Sequence, residues 1–213
     1  MNNPWEEIDL GAYEDHMSLG SVFPLQALNK MMKDQFYAHP VQSIMIFGVA
    51  GGNGLEHVNR QVFHKFYGVD INRNYLDTCV NRYPELQGVF EPICADLTQE
   101  ISKLPYADLV VADLVIEYIG YECFQSVIRQ ISPKYVSAII QINTDDSYVS
   151  DSPYLHAFDR LDELHHQMEE TALVDAMEQI GYKKEARAEA ELPNGKRLVR
   201  LDFATPSTIP VAI

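Results

Sequence analysis

The stretch IMIFGVAGGNGLEHV, Ile44 to Val58, constrains the fold of this chain more than any other. Ile44 to Phe47 is a continuous apolar run bounded by breakers, the pattern of a strand covered on both faces. Gly48, Gly51, Gly52 and Gly54 then let the backbone turn through dihedrals closed to other residues, or let a ligand approach it closely. Leu55 to Asn59 is expected to open a helix, with its unpaired N–H groups and positive dipole end facing the loop. A plain strand-to-helix turn is the simpler alternative. Four glycines exceed what such a turn needs, so the loop reads as a site for a nucleotide-like ligand.

An alternation of strands and helices surrounds the loop. Residues 1–40 read as helical: Tyr13 and Met17 share one face, Leu25, Leu28 and Met32 another, with a break at Ser18 to Ser21. Strand one is Ser43 to Phe47, and strand two lies in HKFYGVD and ends at Asp70. A helix over Arg73 to Tyr83 follows, with Asn72 as its cap and Leu76, Cys79, Val80 and Tyr83 on one stripe. GVFEPICADL supplies a third strand ending near Asp96, Leu109 to Ala112 a fourth, and KYVSAIIQIN a fifth, with a helix over Tyr121 to Ile131 between the last two. Helical connections of this kind imply crossovers, hence a mostly parallel sheet with helices on both faces. The chain then changes character. ETALVDAMEQIGY is a helix ended by Gly181, and KKEARAEAEL and KRLVRLDFA flank Pro193-Asn194-Gly195 as a hairpin. No linker marks a second domain, so residues 1–213 are expected to form one unit.

Charge and cysteine content narrow the partners. A net charge of -15 argues against nucleic acid and against an anionic membrane surface. Cys79, Cys94 and Cys123 are scattered and form no C-x-x-C pair, which suits reduced thiols better than disulfides or zinc. The N-terminus has neither a basic region nor an apolar run, and no segment approaches the length of a membrane span. A cytoplasmic location is expected.

A glycine loop after strand one with an acid after strand two suits two ligands. A dinucleotide site wants G-x-G-x-x-G. Gly52 and Gly54 supply the first two glycines, but His57 stands at the third position; counted from Gly48, Ala50 breaks the pattern. The ordered set FGVAGGNGLEH, YGVD, CADL and ADLVVADLVIEYI, closed by the hairpin, resembles the class I S-adenosylmethionine-dependent methyltransferase family over Ser43 to Ala204. The resemblance implies a Rossmann-like three-layer α/β sandwich with a seven-stranded, mostly parallel sheet, order 3-2-1-4-5-7-6, strand seven antiparallel. It implies S-adenosyl-L-methionine as cofactor and methyl transfer to a small-molecule acceptor. By the same resemblance, Gly48, Ala50, Gly52 and Gly54 pass the amino-acid half of the cofactor. Asp70, with Ile71, binds the ribose diol, Asp96 and Leu97 recognise adenine, and Asp113 and Leu114 lie beside the reactive methyl. The acid that the family often carries two residues before the first glycine is Ile46 here.

Each acid has a plainer alternative: Asp70 as a helix cap, Asp96 as a turn residue, Asp113 as a structural carboxylate with a partner. Methyl transfer from a sulfonium needs alignment more than a universal base. Asp113, Glu117 and His156 are the candidates if a base exists. Tyr13, His16, Met17 and Tyr118 are candidate acceptor contacts, because segments before strand one often close this family's site. Acceptor contacts are also expected in Asn143 to Glu170, where the family varies most; the stretch carries His156, His165 and His166 beside Asp159, Asp162 and Glu163, which a solvated helix face explains better than a metal site. A nicotinamide-dependent oxidoreductase and a non-catalytic cofactor-binding or interaction protein are the rival functions.

Overall fold

A computed structural model describes residues 3–143 and 148–206 of the chain. The apolar runs become strands β1 (Ser43–Phe47), β2 (Lys65–Asp70), β3 (Phe90–Cys94), β4 (Leu109–Asp113) and β5 (Tyr135–Ile142), followed by β6 (Lys183–Glu191) and β7 (Arg197–Ala204). They form one sheet in the order β3-β2-β1-β4-β5-β7-β6. The first five strands are parallel, and β7 runs antiparallel to both β5 and β6, as expected. The third strand stops at Cys94, two residues short of Asp96.

Helices α1 (Leu10–Ser18), α2 (Pro24–Tyr37), α3 (Arg73–Arg82), α4 (Ile116–Ile131) and α5 (Glu170–Gln179) cover the sheet. Side chains alternate across a strand, so β1 feeds two cores at once. Met45 and Phe47 pack with Phe124, Val127 and Ile128 of α4 and with Leu173 and Met177 of α5. Ile44 and Ile46 pack with Met32 and Phe36 of α2 and with Leu76 and Cys79 of α3. Asn72 caps α3 by accepting from the Asn74 N–H at 3.0 Å. Val80 is not part of that helix's buried stripe: it is 46% exposed, because the sheet meets only the Leu76–Cys79 side.

The helix expected after the glycine loop is absent. Leu55–His57 is a three-residue 3-10 turn, and the chain then runs on toward β2. The reason lies in packing. Met32 and the fully buried Phe36 already cover Ile44, Ile46 and Leu55, so α2 occupies the layer that a longer helix would need. Burying a side chain such as Phe36 contributes about 1.5–3 kcal/mol, more than a short polar helix beginning Leu-Glu-His has to offer.

The strand register sets the site. Phe47 pairs with Val69 on one side and with Ala112 on the other, and Asp70 pairs with Cys94. Gly48, Asp70, Ala95 and Asp113 therefore emerge at one edge, the carboxyl ends of the parallel strands, where open α/β sheets bind ligands. Among the described residues, no helix is long and apolar enough to cross a membrane.

Candidate functional site

A cleft of about 570 Å³ opens at that edge, within the range of small-molecule sites. Its floor is the backbone after β1 and β4: Gly48, Ala50, Asp113, Leu114 and Val115. Ala50 (φ 45°) and Leu114 (φ 55°) both hold left-handed dihedrals, which a side chain makes costly and which cluster where function requires them. Asp70, Ile71 and Tyr75 form one wall, with Ala95, Asp96 and Leu97 beyond them. Pro4, Trp5, Glu6 and Tyr13 from the N-terminal segment form another. That segment is tied down, since Asn72 Nδ2 donates to the Trp5 carbonyl at 3.0 Å and Tyr75 OH to the Ile8 carbonyl at 2.8 Å.

Gly52 and Gly54 do not line the cleft, contrary to expectation. A Cβ on Gly52 would lie 2.8 Å from the Tyr83 ring, and one on Gly54 would lie 2.9 Å from Met32 Sδ. Both hold positive φ, 89° and 87°. The turn and the close packing of the loop's far side on α3 and α2 by themselves require glycine at both positions.

Asp70 is 8% exposed. Its Oδ2 accepts the Ala50 N–H and its Oδ1 the Asn72 N–H, both at 2.9 Å. It is not the cap of α3, a role Asn72 holds; it ties the glycine loop to the end of β2. An ionised carboxylate can accept more than these two bonds, and Asp70 lines the cleft. Burial raises its pKa to about 6 against the pull of those N–H groups. Asp96 is engaged locally: Oδ1 accepts from Thr98 N at 2.8 Å and Thr98 Oγ1 at 2.7 Å, and Oδ2 from Gln99 Nε2 at 2.9 Å. Its hydrogen bonds are those of a turn residue on the cleft wall. Asp113 has the partner its position demands, Gln35 Nε2 at 2.8 Å, while Oδ2 is buried with no partner. Burial pushes its pKa up to about 7.

A smaller cavity of about 70 Å³ adjoins the cleft and shares Trp5, Tyr13, Leu114 and Tyr118 with it. His16, Met17 and Glu117 line this second pocket, so the four acceptor-contact candidates and one candidate base meet there. Glu117 sits in the first turn of α4, before the break at Gly120 (φ 73°, ψ 166°). His156 lies elsewhere: its side chain is 91% exposed and pairs with Asp159 at 3.2 Å, and it lines neither cavity. The segment Leu155–Glu163 is a 3-10 helix whose buried face, Phe158 and Leu161, points His156 outward. Asp162 and His166 are not one turn apart on an α-helix. Among the described residues, no group of three or more His, Cys, Asp or Glu is arranged to hold a metal ion.

Sequence reasoning missed Trp5 and Gln35 as site residues, while Tyr148 and His165 fall in the stretch Asn143 to Glu170 where acceptor contacts were expected. Gln35 carried a signal, a polar residue three positions after Met32 on the buried face of α2. Trp5 shows no local pattern.

The cleft's charge speaks to its ligand. Among the described residues, Glu6, Asp70, Asp96, Asp113 and Glu163 line it with Arg160 as the one basic side chain, and Arg160 is paired with Glu7. The glycine loop runs into a 3-10 turn in place of an α-helix, so the loop itself presents no helix N-terminus to a pyrophosphate. A sulfonium cation with an ammonium group suits this acidic lining better than a dinucleotide.

No family model matches the chain, and no curated protein sequence does. Solved structures do. The N-methyltransferase NodS from Bradyrhizobium japonicum WM9, in complex with S-adenosyl-L-homocysteine, superposes with a TM-score of 0.66 at 12% identity, covering 97% of this chain and 100% of that one. Magnesium protoporphyrin IX methyltransferase (ChlM) from Synechocystis PCC 6803, with bound S-adenosylmethionine, gives 0.60 at 12% identity, covering 91% and 83%. The [4+2]-cyclase SpnF gives 0.64 at 10% identity, covering 84% and 81%. With the strand order and the antiparallel β7, these likenesses show that the chain has the fold of the class I S-adenosylmethionine-dependent methyltransferases.

Proposed function

We propose that this protein transfers a methyl group from S-adenosylmethionine to a small-molecule acceptor. The acidic cleft at the ends of β1, β2 and β4, with Asp70 on its wall, carries this reading. Gly48 and Ala50 pass the amino-acid half of the cofactor, Asp70 and Ile71 hold the ribose, Asp96 and Leu97 face the adenine, and Asp113 and Leu114 border the reacting end. When bound, the cofactor supplies a methyl group already activated on a cationic sulfur. The chain's own work is to align the partners and exclude water. The Pro4–Glu6 turn and Tyr13, tied to α3, serve that purpose by walling the cleft from the N-terminal side.

That a [4+2]-cyclase shares this fold supports a second reading, cofactor binding without methyl transfer, and Ile46 in place of the usual acid agrees with it. The nicotinamide reading is disfavoured by the acidic lining. Thermal unfolding tests the main proposal. S-adenosylhomocysteine at a hundred times its Kd should raise the melting temperature by on the order of 5–10 °C, since it binds only the folded state. Equal or greater stabilisation by NADH, with none from S-adenosylhomocysteine, would overturn it. Turnover with S-adenosylmethionine across amines, phenols and carboxylates separates the two remaining readings.

A further inference from the structure

The second pocket has an unusual lining. Five aromatic side chains border it, Trp5, Tyr13, Tyr118, Tyr148 and Phe158. Trp5 meets Tyr118 edge to face at 4.9 Å, and Tyr148 stacks on His165 at 3.7 Å. Among its described lining residues there is one carboxylate, Glu117, and no Lys or Arg. Glu117 is 3% exposed. Its Oε1 accepts the Gln141 N–H at 2.9 Å, and its Oε2 is buried with no hydrogen-bond partner. A buried carboxylate oxygen left unpaired is costly, and a donor supplied by a ligand removes that cost.

The two histidines on the wall do not supply that donor as cations. Burial lowers the pKa of His165 to about 4, with help from His166 and Lys196, and burial followed by Lys196 lowers that of His16. His16 Nδ1 is already engaged with Ser152 Oγ at 2.7 Å. Lys196, outside the lining, donates from Nζ to the Tyr148 carbonyl at 2.6 Å. The pocket thus offers aromatic faces and one acceptor-only group, the two elements that recognise a positively charged nitrogen.

We propose that this pocket is the acceptor site and that it takes a small amine, whose ammonium is held by Oε2 of Glu117 among the aromatic faces. Calling the occupant an acceptor rests on the methyl-transfer reading above; that the occupant is an amine rests on the walls. Glu117 has a second task there. An ammonium nitrogen has no lone pair to attack with. Transfer of one proton from that nitrogen to Oε2 leaves a neutral amine and a neutral carboxylic acid; the lone pair at first faces that acid, and rotation about the C–N bond turns it toward the cleft. Burial raises the Glu117 pKa to about 7, which makes it a far better proton acceptor than an ordinary carboxylate. The pocket's size, about 70 Å³, suits the reactive end of a molecule and not a bulky ring system.

Calorimetry with and without saturating S-adenosylhomocysteine, using butylamine, butyrate and phenol as probes, tests this. Butylamine should bind, and bind more tightly than the other two. Glu117→Gln keeps an acceptor for the Gln141 N–H but removes the charge. It should weaken butylamine by at least about tenfold while S-adenosylhomocysteine affinity stays within about twofold. Tyr148→Leu keeps the carboxylate and removes an aromatic face, and should weaken butylamine by about threefold; it decides the matter if Glu117→Gln does not fold. Preference for butyrate or phenol, or amine affinity unchanged in both variants, would overturn the amine assignment and leave methyl transfer standing. Amine binding in a protein that never binds S-adenosylhomocysteine would do the reverse.

Discussion

Asp70 and Glu117 are both buried carboxylates raised toward neutrality by burial, one to about 6 and the other to about 7. Their oxygens are used differently. Both oxygens of Asp70 accept backbone N–H groups, from Ala50 and Asn72. One oxygen of Glu117 accepts a backbone N–H, and the other has nothing. The contrast extends to the regions around them. The cleft is a property of the sheet: strand ends in fixed register with loops that follow directly from them. The second pocket is assembled mainly from the N-terminal segment, the first turn of α4 and residues 148–165, elements distant in sequence that are held by packing and by contacts such as His16 with Ser152. Both sites keep an unpaired carboxylate oxygen, Oδ2 of Asp113 in the cleft and Oε2 of Glu117 in the pocket, but only the cleft takes most of its acids from strand ends in fixed register.

The largest expected effect breaks the idea that the whole glycine loop belongs to the cleft. Gly52→Val puts a branched side chain at φ 89°, with its Cβ 2.8 Å from the Tyr83 ring. The strain and overpacking together should cost about 2–5 kcal/mol of stability in the ligand-free protein, read by chemical unfolding. Unchanged stability with lost cofactor affinity would return Gly52 to the ligand side.

Asp70→Ala sharpens the cleft's half of the comparison. Charge-assisted hydrogen bonds to the ribose are worth about 1.5–3 kcal/mol each. S-adenosylhomocysteine affinity should therefore fall by at least about tenfold, roughly 1.4 kcal/mol. Asp70→Asn, which keeps one acceptor oxygen, should lose less. Intact affinity in both, measured by calorimetry, would leave Asp70 as a tether for the loop and nothing more.

A pH series probes the pocket's half. The Glu117 carboxyl is raised from 4.5 to about 7 by burial, and Asp113 from 3.8 to about 7. The folded state thus holds protons that the unfolded chain releases. The stability linked to these groups is fully present below about pH 4 and is lost as pH rises through about 7. Glu117→Gln should flatten that decline by on the order of 2–4 °C in melting temperature, with part of the slope surviving through Asp113. A slope identical to wild type would show that Glu117 is not titrating in the fold.

The smallest effect is at His156. As an exposed side chain outside both cavities, it should change stability by less than about 0.5 kcal/mol on replacement by alanine, with cofactor and amine binding intact. A loss of either would reopen its candidacy as a base.

Local patterns in the sequence determined the strands, their alternation with helices, the closing hairpin, and the placing of Gly48, Asp70, Asp96 and Asp113 after consecutive strand ends. Those features follow from hydrophobic periodicity and from turn residues, and both are written over a few adjacent positions. Tertiary structure alone decided which side of the glycine loop faces the cleft, since Gly52 and Gly54 look the same in sequence whether open space or Tyr83 and Met32 lie against them. It also decided that α2, from far upstream, covers β1 in place of a helix after the loop. The second pocket lay furthest from view. Trp5, Glu117 and Tyr148 become neighbours only when segments more than a hundred residues apart pack together, and no local spacing records a contact whose energy comes from burial between distant parts of the chain.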